Sequence, residues 1–263
     1  MRFLKAHAYG NDFLYVKKDA VQGVTPEPLA RQLCDRHRGI GADGLILYEP
    51  TPDGASMQLF NADGGRAEVS GNGVRALGAL LLRDDNRVQI SLTIHTEAGP
   101  KRLERLSREG ARQTFRAAMG LPRDLRQVPA VVANESLQLV LMDFGNPHCV
   151  VLGSLPGRNR FERLGRSLAH HQMFPGGTNV EFADVELPGS VRIFIWERGV
   201  GPTASSGTGS CAALVAAAAF GGARREADVI APGGTQRVEW RDESVYLTGW
   251  AEVLAEGNWL PER

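Results

Sequence analysis

Ser70-Gly71-Asn72-Gly73-Val74-Arg75-Ala76-Leu77 and Ser206-Gly207-Thr208-Gly209-Ser210-Cys211-Ala212-Ala213 are two copies of one pattern, and they decide how the rest of the chain reads. Each opens with serine, a residue whose side chain caps a helix start, followed by a glycine-rich turn. Beyond the turn the apolar residues take helical spacing. Val74, Leu77, Gly78 and Leu81 fall at i, i+3, i+4 and i+7, and Cys211, Leu214, Val215 and Ala218 do the same.

Working outward, the duplication widens in nearly constant register. Gly10-Asn11-Asp12-Phe13 recurs as Gly145-Asn146-Pro147-His148, and Gly41-Ala42-Asp43-Gly44-Leu45-Ile46 as Gly176-Gly177-Thr178-Asn179-Val180-Glu181. Phe60-Asn61 has its counterpart in Trp196-Glu197, one residue further along. A single such pair is loop chemistry; four in one register mark a duplicated lobe. Ser56–Phe60 and Val191–Trp196 are short, β-prone runs ahead of each helix, and Arg237–Trp240 with Ser244–Thr248 read as closing strands. The expected fold is therefore α+β. It has two homologous, pseudo-symmetric lobes, each a mixed β-sheet or barrel wrapped around a central α-helix. The N-terminal lobe is expected over 1–118 and the C-terminal lobe over 119–263, with the boundary at Met119-Gly120-Leu121-Pro122 and the last strand crossing back to the first lobe.

Composition narrows the function classes. The chain has 263 residues, 43% hydrophobic and 23% charged, and thirty basic residues balance thirty acidic ones. That balance gives no electrostatic footprint for nucleic acid. The longest apolar stretch, Ala212 to Gly222, is alanine-rich and far below the roughly 18 residues of a membrane span. It reads as a buried helix. Three scattered cysteines, Cys34, Cys149 and Cys211, suit neither a disulfide framework nor a zinc site. A reducing, cytoplasmic location is expected, with no membrane partner and no metal.

The paired helix starts suggest chemistry. A helix leaves its first N–H groups unpaired and carries roughly half a positive charge there. Glycines let the backbone approach an anion closely. Neither copy has the lysine of a P-loop or completes a dinucleotide fingerprint. Ser70 and Ser206 taken singly are simple caps. Taken as a duplicated pair, they point to two amide-rich turns converging on one carboxylate, where negative charge builds as an α-proton leaves.

These blocks resemble the diaminopimelate epimerase family across nearly the whole chain. The resemblance rests on Lys5–Phe13, Asp35–Gly44, Phe60–Gly64, Gly71–Arg75, Gly145–His148, Asn179–Phe182, Glu197–Gly201 and Gly207–Cys211. It implies a cofactor-free isomerase that interconverts LL- and meso-diaminopimelate, one acid/base group taking the α-proton and another returning it from the opposite face. In the family those groups are cysteines; here both positions are serine, Ser70 and Ser206. Ala76, Pro202 and Ser205 depart from the family pattern nearby, as in a diverged natural homologue. A hydroxyl starts several pKa units above a thiol, which lies near 8.5 and falls at helix starts, so the two-thiol mechanism transfers poorly.

The resemblance carries His148 and Glu197 over as the pair that tunes the two acid/base groups. It carries Asn61, Asn146, Asn179 and Arg198 over to the distal carboxylate, where an arginine fork grips bidentately. Asn72 and the N–H groups of Gly71, Gly207 and Thr208 match the α-carboxylate cradle, and Asn11 matches a further substrate contact. Gly44 stands where some members carry glutamine. The expected partner is a small amino acid, and a homodimer stays open. Two other readings stay open as well: an isomerase, dehydratase or epimerase for another amino acid, and a non-catalytic diaminopimelate-binding protein.

Overall fold

A computed structural model describes residues 1–87 and 89–260. The chain divides into two compact units, Met1–Ala117 with Gly249–Arg263, and Ala118–Thr248. Each is the mixed α+β lobe expected from the duplication.

The first unit contains strands β1 (Arg2–Ala8), β2 (Asn11–Lys17), β3 (Gly44–Thr51), β4 (Gly54–Asn61), β5 (Arg66–Ala67), β6 (Ser91–Thr96), β7 (Gly99–Glu109) and most of β8 (Arg112–Gly120), with helices α1 (Pro26–Cys34) and α2 (Gly71–Leu81). The second contains β9 (Arg123–Val132), β10 (Glu135–Asp143), β11 (Pro147–Leu152), β12 (Asn179–Leu187), β13 (Ser190–Glu197), β14 (Gly201–Thr203), β15 (Glu226–Ala231) and β16 (Gly234–Trp240), with α3 (Arg158–Ala169) and α4 (Gly207–Phe220). A last strand, β17 (Val245–Asn258), serves both: Val245–Thr248 pairs with β16, while residues from Glu252 onward pair with β1. The C-terminal lobe therefore ends at Thr248 rather than 263, because the backbone groups beyond it are satisfied by the first unit.

The two units share one pairing scheme. In the first, β1–β2 is antiparallel, β2–β3 parallel, β3–β4 antiparallel, β4–β6 parallel and β6–β7 antiparallel. In the second, β10–β11, β11–β12, β12–β13, β13–β15 and β15–β16 repeat that alternation. The register repeats too: Phe13 lies opposite Gly44, and His148 opposite Asn179. Pairing of β17 with both β1 and β8 closes the first set of strands on itself.

Each central helix packs on the inner faces of its own strands: α2 on β1, β2, β6 and β7, and α4 on β11, β12, β13, β15 and β16. Burial explains the apolar composition. Every residue from Gly207 to Ala217 is buried, as is Gly71 to Ala79, so neither helix has a solvated stripe. Cys149 and Cys211 are fully buried, and desolvation raises the Cys149 thiol well above its ordinary range. Burial, together with the carboxylates of Asp12 and Asp43, pushes Cys34 up to about 12. Among the described residues, no helix is long and apolar enough to cross a membrane.

Candidate active site

In the first unit, Ser70 has extended backbone, φ −129°, and its Oγ accepts from the N–H of Gly73 at 3.1 Å. In the second, Ser206 has φ −137°, and its Oγ accepts from the N–H of Gly209 at 3.1 Å. Both serines are thus N-caps in the same geometry, half-buried at the mouth of the helix. The glycine in the third helical position packs closely on a side chain beneath it. A Cβ on Gly73 would stand 2.8 Å from Cδ1 of Ile46, and one on Gly209 only 2.7 Å from Oε1 of Glu181.

Around α2 lies a polar chain. Asn72, fully buried, donates through Nδ2 to Oδ1 of Asn11 at 3.1 Å, and Asn11 donates to Oδ2 of Asp43 at 2.8 Å. Arg75, also fully buried, donates to Oδ1 of Asn72, with its guanidinium 5.9 Å from the centre of the Tyr9 ring. Arg36 bridges Asp12 and Asp43 at 2.7 and 2.9 Å, and Lys5 reaches Asp12 at 3.0 Å. Burial alone would raise the Asp12 carboxyl, but the hydrogen bonds from Arg36 and Lys5 outweigh it and hold the group below its ordinary value. The hydroxyl of Tyr15 donates to the carbonyl of Gly73 at 2.9 Å, fixing the first turn from beneath.

Around α4 the chain is shorter and carries an acid and a base. Asn146 Nδ2 donates to Oγ1 of Thr208 at 3.3 Å, and Asn146 Oδ1 lies 3.1 Å from Nε2 of His148. His148 Nδ1 lies 2.9 Å from Oε1 of Glu181, and both side chains are shut off from solvent. Burial drives the Glu181 carboxyl upward, against the opposing pull of His148. The carboxylate partner of His148 is therefore Glu181, a residue passed over at the sequence level. Its signal was available: it is the one acid in the buried run Asn179-Val180-Glu181-Phe182-Ala183, at the place where the first copy has Ile46.

The other candidate residues fall as follows. Asn179 donates through Nδ2 to the carbonyl of Pro147 at 3.0 Å and accepts at Oδ1 from the N–H of Arg198 at 3.0 Å. Its amide thus braces two strand ends and presents the backbone of Arg198. The Arg198 guanidinium reaches the carbonyl of Gly176 at 3.4 Å and remains partly exposed, as does Glu197. Asn61 closes β4 opposite Gly44 and is half-buried. Gly71 and Gly207 open the two helices. Among the described residues, no group of three or more His, Cys, Asp or Glu side chains is arranged to hold a metal ion.

The diaminopimelate epimerase family model matches residues 3–125 and 140–254. The chain belongs to the diaminopimelate epimerase family. The diaminopimelate epimerase of Desulforudis audaxviator is 39% identical, with 99% of each chain covered. That of Nostoc punctiforme is 37% identical, covering 98% of this chain and 99% of its own. Among solved structures, a predicted epimerase from Pseudomonas aeruginosa superposes with a TM-score of 0.78 at 14% identity over 99% of both chains. A probable proline racemase from Agrobacterium radiobacter gives 0.77 at 20% identity, over 99% of this chain and 93% of its own. Family membership makes this chain an isomerase, and the superpositions confirm the epimerase-like fold of paired lobes.

Proposed function

We propose that this member of the family is a cofactor-independent epimerase of diaminopimelate, moving the α-proton by two-base transfer with one proton-handling turn in each lobe. The observation that carries the reading is the identical capping geometry of Ser70 and Ser206. Both hydroxyl oxygens accept a helix N–H at the same distance, so both keep their own proton to donate and both sit at the positive end of a buried helix. In this reading Arg198, Asn61 and Asn146 address the distal carboxylate, Asn179 acts by orienting Arg198, and Asn11 by orienting Asn72. Gly71, Asn72, Gly207 and Thr208 receive the α-carboxylate. His148 and Glu197 assist the two hydroxyls. The ligand is a small amino acid; nucleic acid and membrane are not partners.

A hydroxyl is a far weaker base than a thiolate, so turnover is slow relative to a cysteine enzyme. Solvent-deuterium incorporation at the α-carbon of diaminopimelate, followed by NMR at high enzyme concentration, tests the proposal. Absence of exchange after long incubation rejects it. Running the same assay over a panel of amino acids tests the alternative substrate class: exchange of a substrate lacking a second carboxylate, in preference to diaminopimelate, rejects the role given to Arg198.

A further inference from the structure

The pair formed by His148 and Glu181 contains a proton whose place follows from its surroundings. Asn146 donates through Nδ2 to Thr208, so its Oδ1 accepts from His148 and Nε2 carries a hydrogen. One further proton lies between Nδ1 and Oε1, 2.9 Å apart, giving either an ion pair or a neutral acid beside a neutral imidazole. Both side chains have zero exposure, and the second oxygen of Glu181, Oε2, has no hydrogen-bond partner among the described residues. An ionised carboxylate would leave part of its charge on that oxygen with nothing to solvate it. Separating two charges here takes both ions out of water, and their mutual attraction repays that only where the remaining lone pairs are also satisfied, which Oε2 is not. Two N–H groups of the first turn are moreover already given to the cap, that of Gly209 to Ser206 Oγ and that of Ser210 to the Ser206 carbonyl. The neutral arrangement wins.

We propose that Glu181 is the positioning residue of the second lobe's half-site: as a carboxylic acid it donates to Nδ1 of His148 and holds the imidazole neutral, with its hydrogen on Nε2. The pair then adds no negative charge beneath the α4 turn, so the helix start stays free to receive an anionic head group. This consequence rests on the epimerase reading; the protonation state does not. Among the described residues, Asp143 on β10, itself bound by Arg123 of β9, acts on His148, and Cys149 on β11 lies close to Glu181. The first turn of α4 has no acidic residue.

The test is 15N NMR of the full chain labelled at histidine, without substrate, with His148 assigned by the signal lost in His148→Gln. The expected spectrum shows Nε2 protonated and Nδ1 an unprotonated acceptor. Glu181→Gln keeps that pattern, because an amide N–H also donates to Nδ1. Glu181→Ile places in the second lobe the residue that the first lobe has at Ile46. It leaves Nδ1 without its donor while Asn146 still accepts the Nε2 hydrogen, so the Nδ1 signal moves away from its hydrogen-bonded position and α-deuterium exchange falls at least tenfold. Both nitrogens protonated in the parent chain, or an Nδ1 signal unmoved in Glu181→Ile, would overturn the proposal. Exchange with the wrong tautomer sinks this inference alone, whereas the right tautomer without exchange sinks the epimerase reading alone.

Discussion

The two lobes carry the same backbone around their central helices and different chemistry beneath them. In the first, the glycine at the third position of α2 rests against Ile46, and Phe13 stands at the repeat position of His148. In the second, the matching glycine rests against Glu181, which holds His148. Duplication preserved what the fold needs: the serine cap, the close-packed glycine and the strand register. It let the pair under the helix diverge from apolar to ionisable. A repeated scaffold thus carries two different chemistries: a buried arginine and amides around the helix of the first unit, and an acid–base pair beneath the helix of the second.

The strongest way to probe that asymmetry is to restore thiols. Converting Ser70 and Ser206 together to cysteine is expected to raise α-deuterium exchange about 100-fold or more, the scale of a competent general base. Either single variant is expected to fall well short. A single variant matching the double would show that only one lobe handles the proton.

A second set exchanges the pairs. Ile46→Glu buries a carboxyl with no imidazole beside it and is expected to cost about 3–5 kcal/mol in denaturant unfolding. Glu181→Ile and His148→Phe each strand a buried polar partner. Combined, they copy the first lobe's apolar pair, and a coupling of at least about 1.5 kcal/mol is expected from the cycle. Additive losses would mean that the two residues do not act as a unit.

The helix C-termini differ as well. Arg105, almost fully buried, donates to the carbonyls of Leu82 and Arg87 beyond α2 and to Oε1 of Gln113. At the end of α4 the N–H of Gly221 donates to the carbonyl of Ala217. Arg105→Met is expected to cost about 2–4 kcal/mol, with amide protection lost in α2 and retained in α4. The smallest effect is confined to acid. Asp12 is held below its ordinary value, so its contribution is present above the unfolded pKa of about 4 and fades as pH falls through the lower folded value. Asp12→Asn should flatten the thermal midpoint over that acid window and leave its pH dependence near neutrality untouched.

The duplication, both helices and the serine caps were legible in the sequence because glycine, serine and apolar spacing are local signals. The C-terminal strand was legible only as a crossing strand, since its partner β1 lies more than two hundred residues away. Glu181 was missed for a different reason. A repeat shows itself in the residues its copies share, and this position matters because they differ. Asn11 and Asn179 read as ligand contacts from their motifs, but their amides are turned onto Asp43, Pro147 and Arg198. Which of its neighbours a side-chain amide chooses is a three-dimensional matter that motif spacing does not encode.

The divided ownership of β17 makes the two lobes unequal to a cut. The second lobe is one continuous stretch, Ala118–Thr248. The first is drawn from two stretches: its β1 edge is covered by Glu252–Asn258, and the Met1 amino group donates to the carbonyl of Trp259. Cleavage after Thr248 therefore bares a strand edge in the first lobe and leaves the second with all its residues.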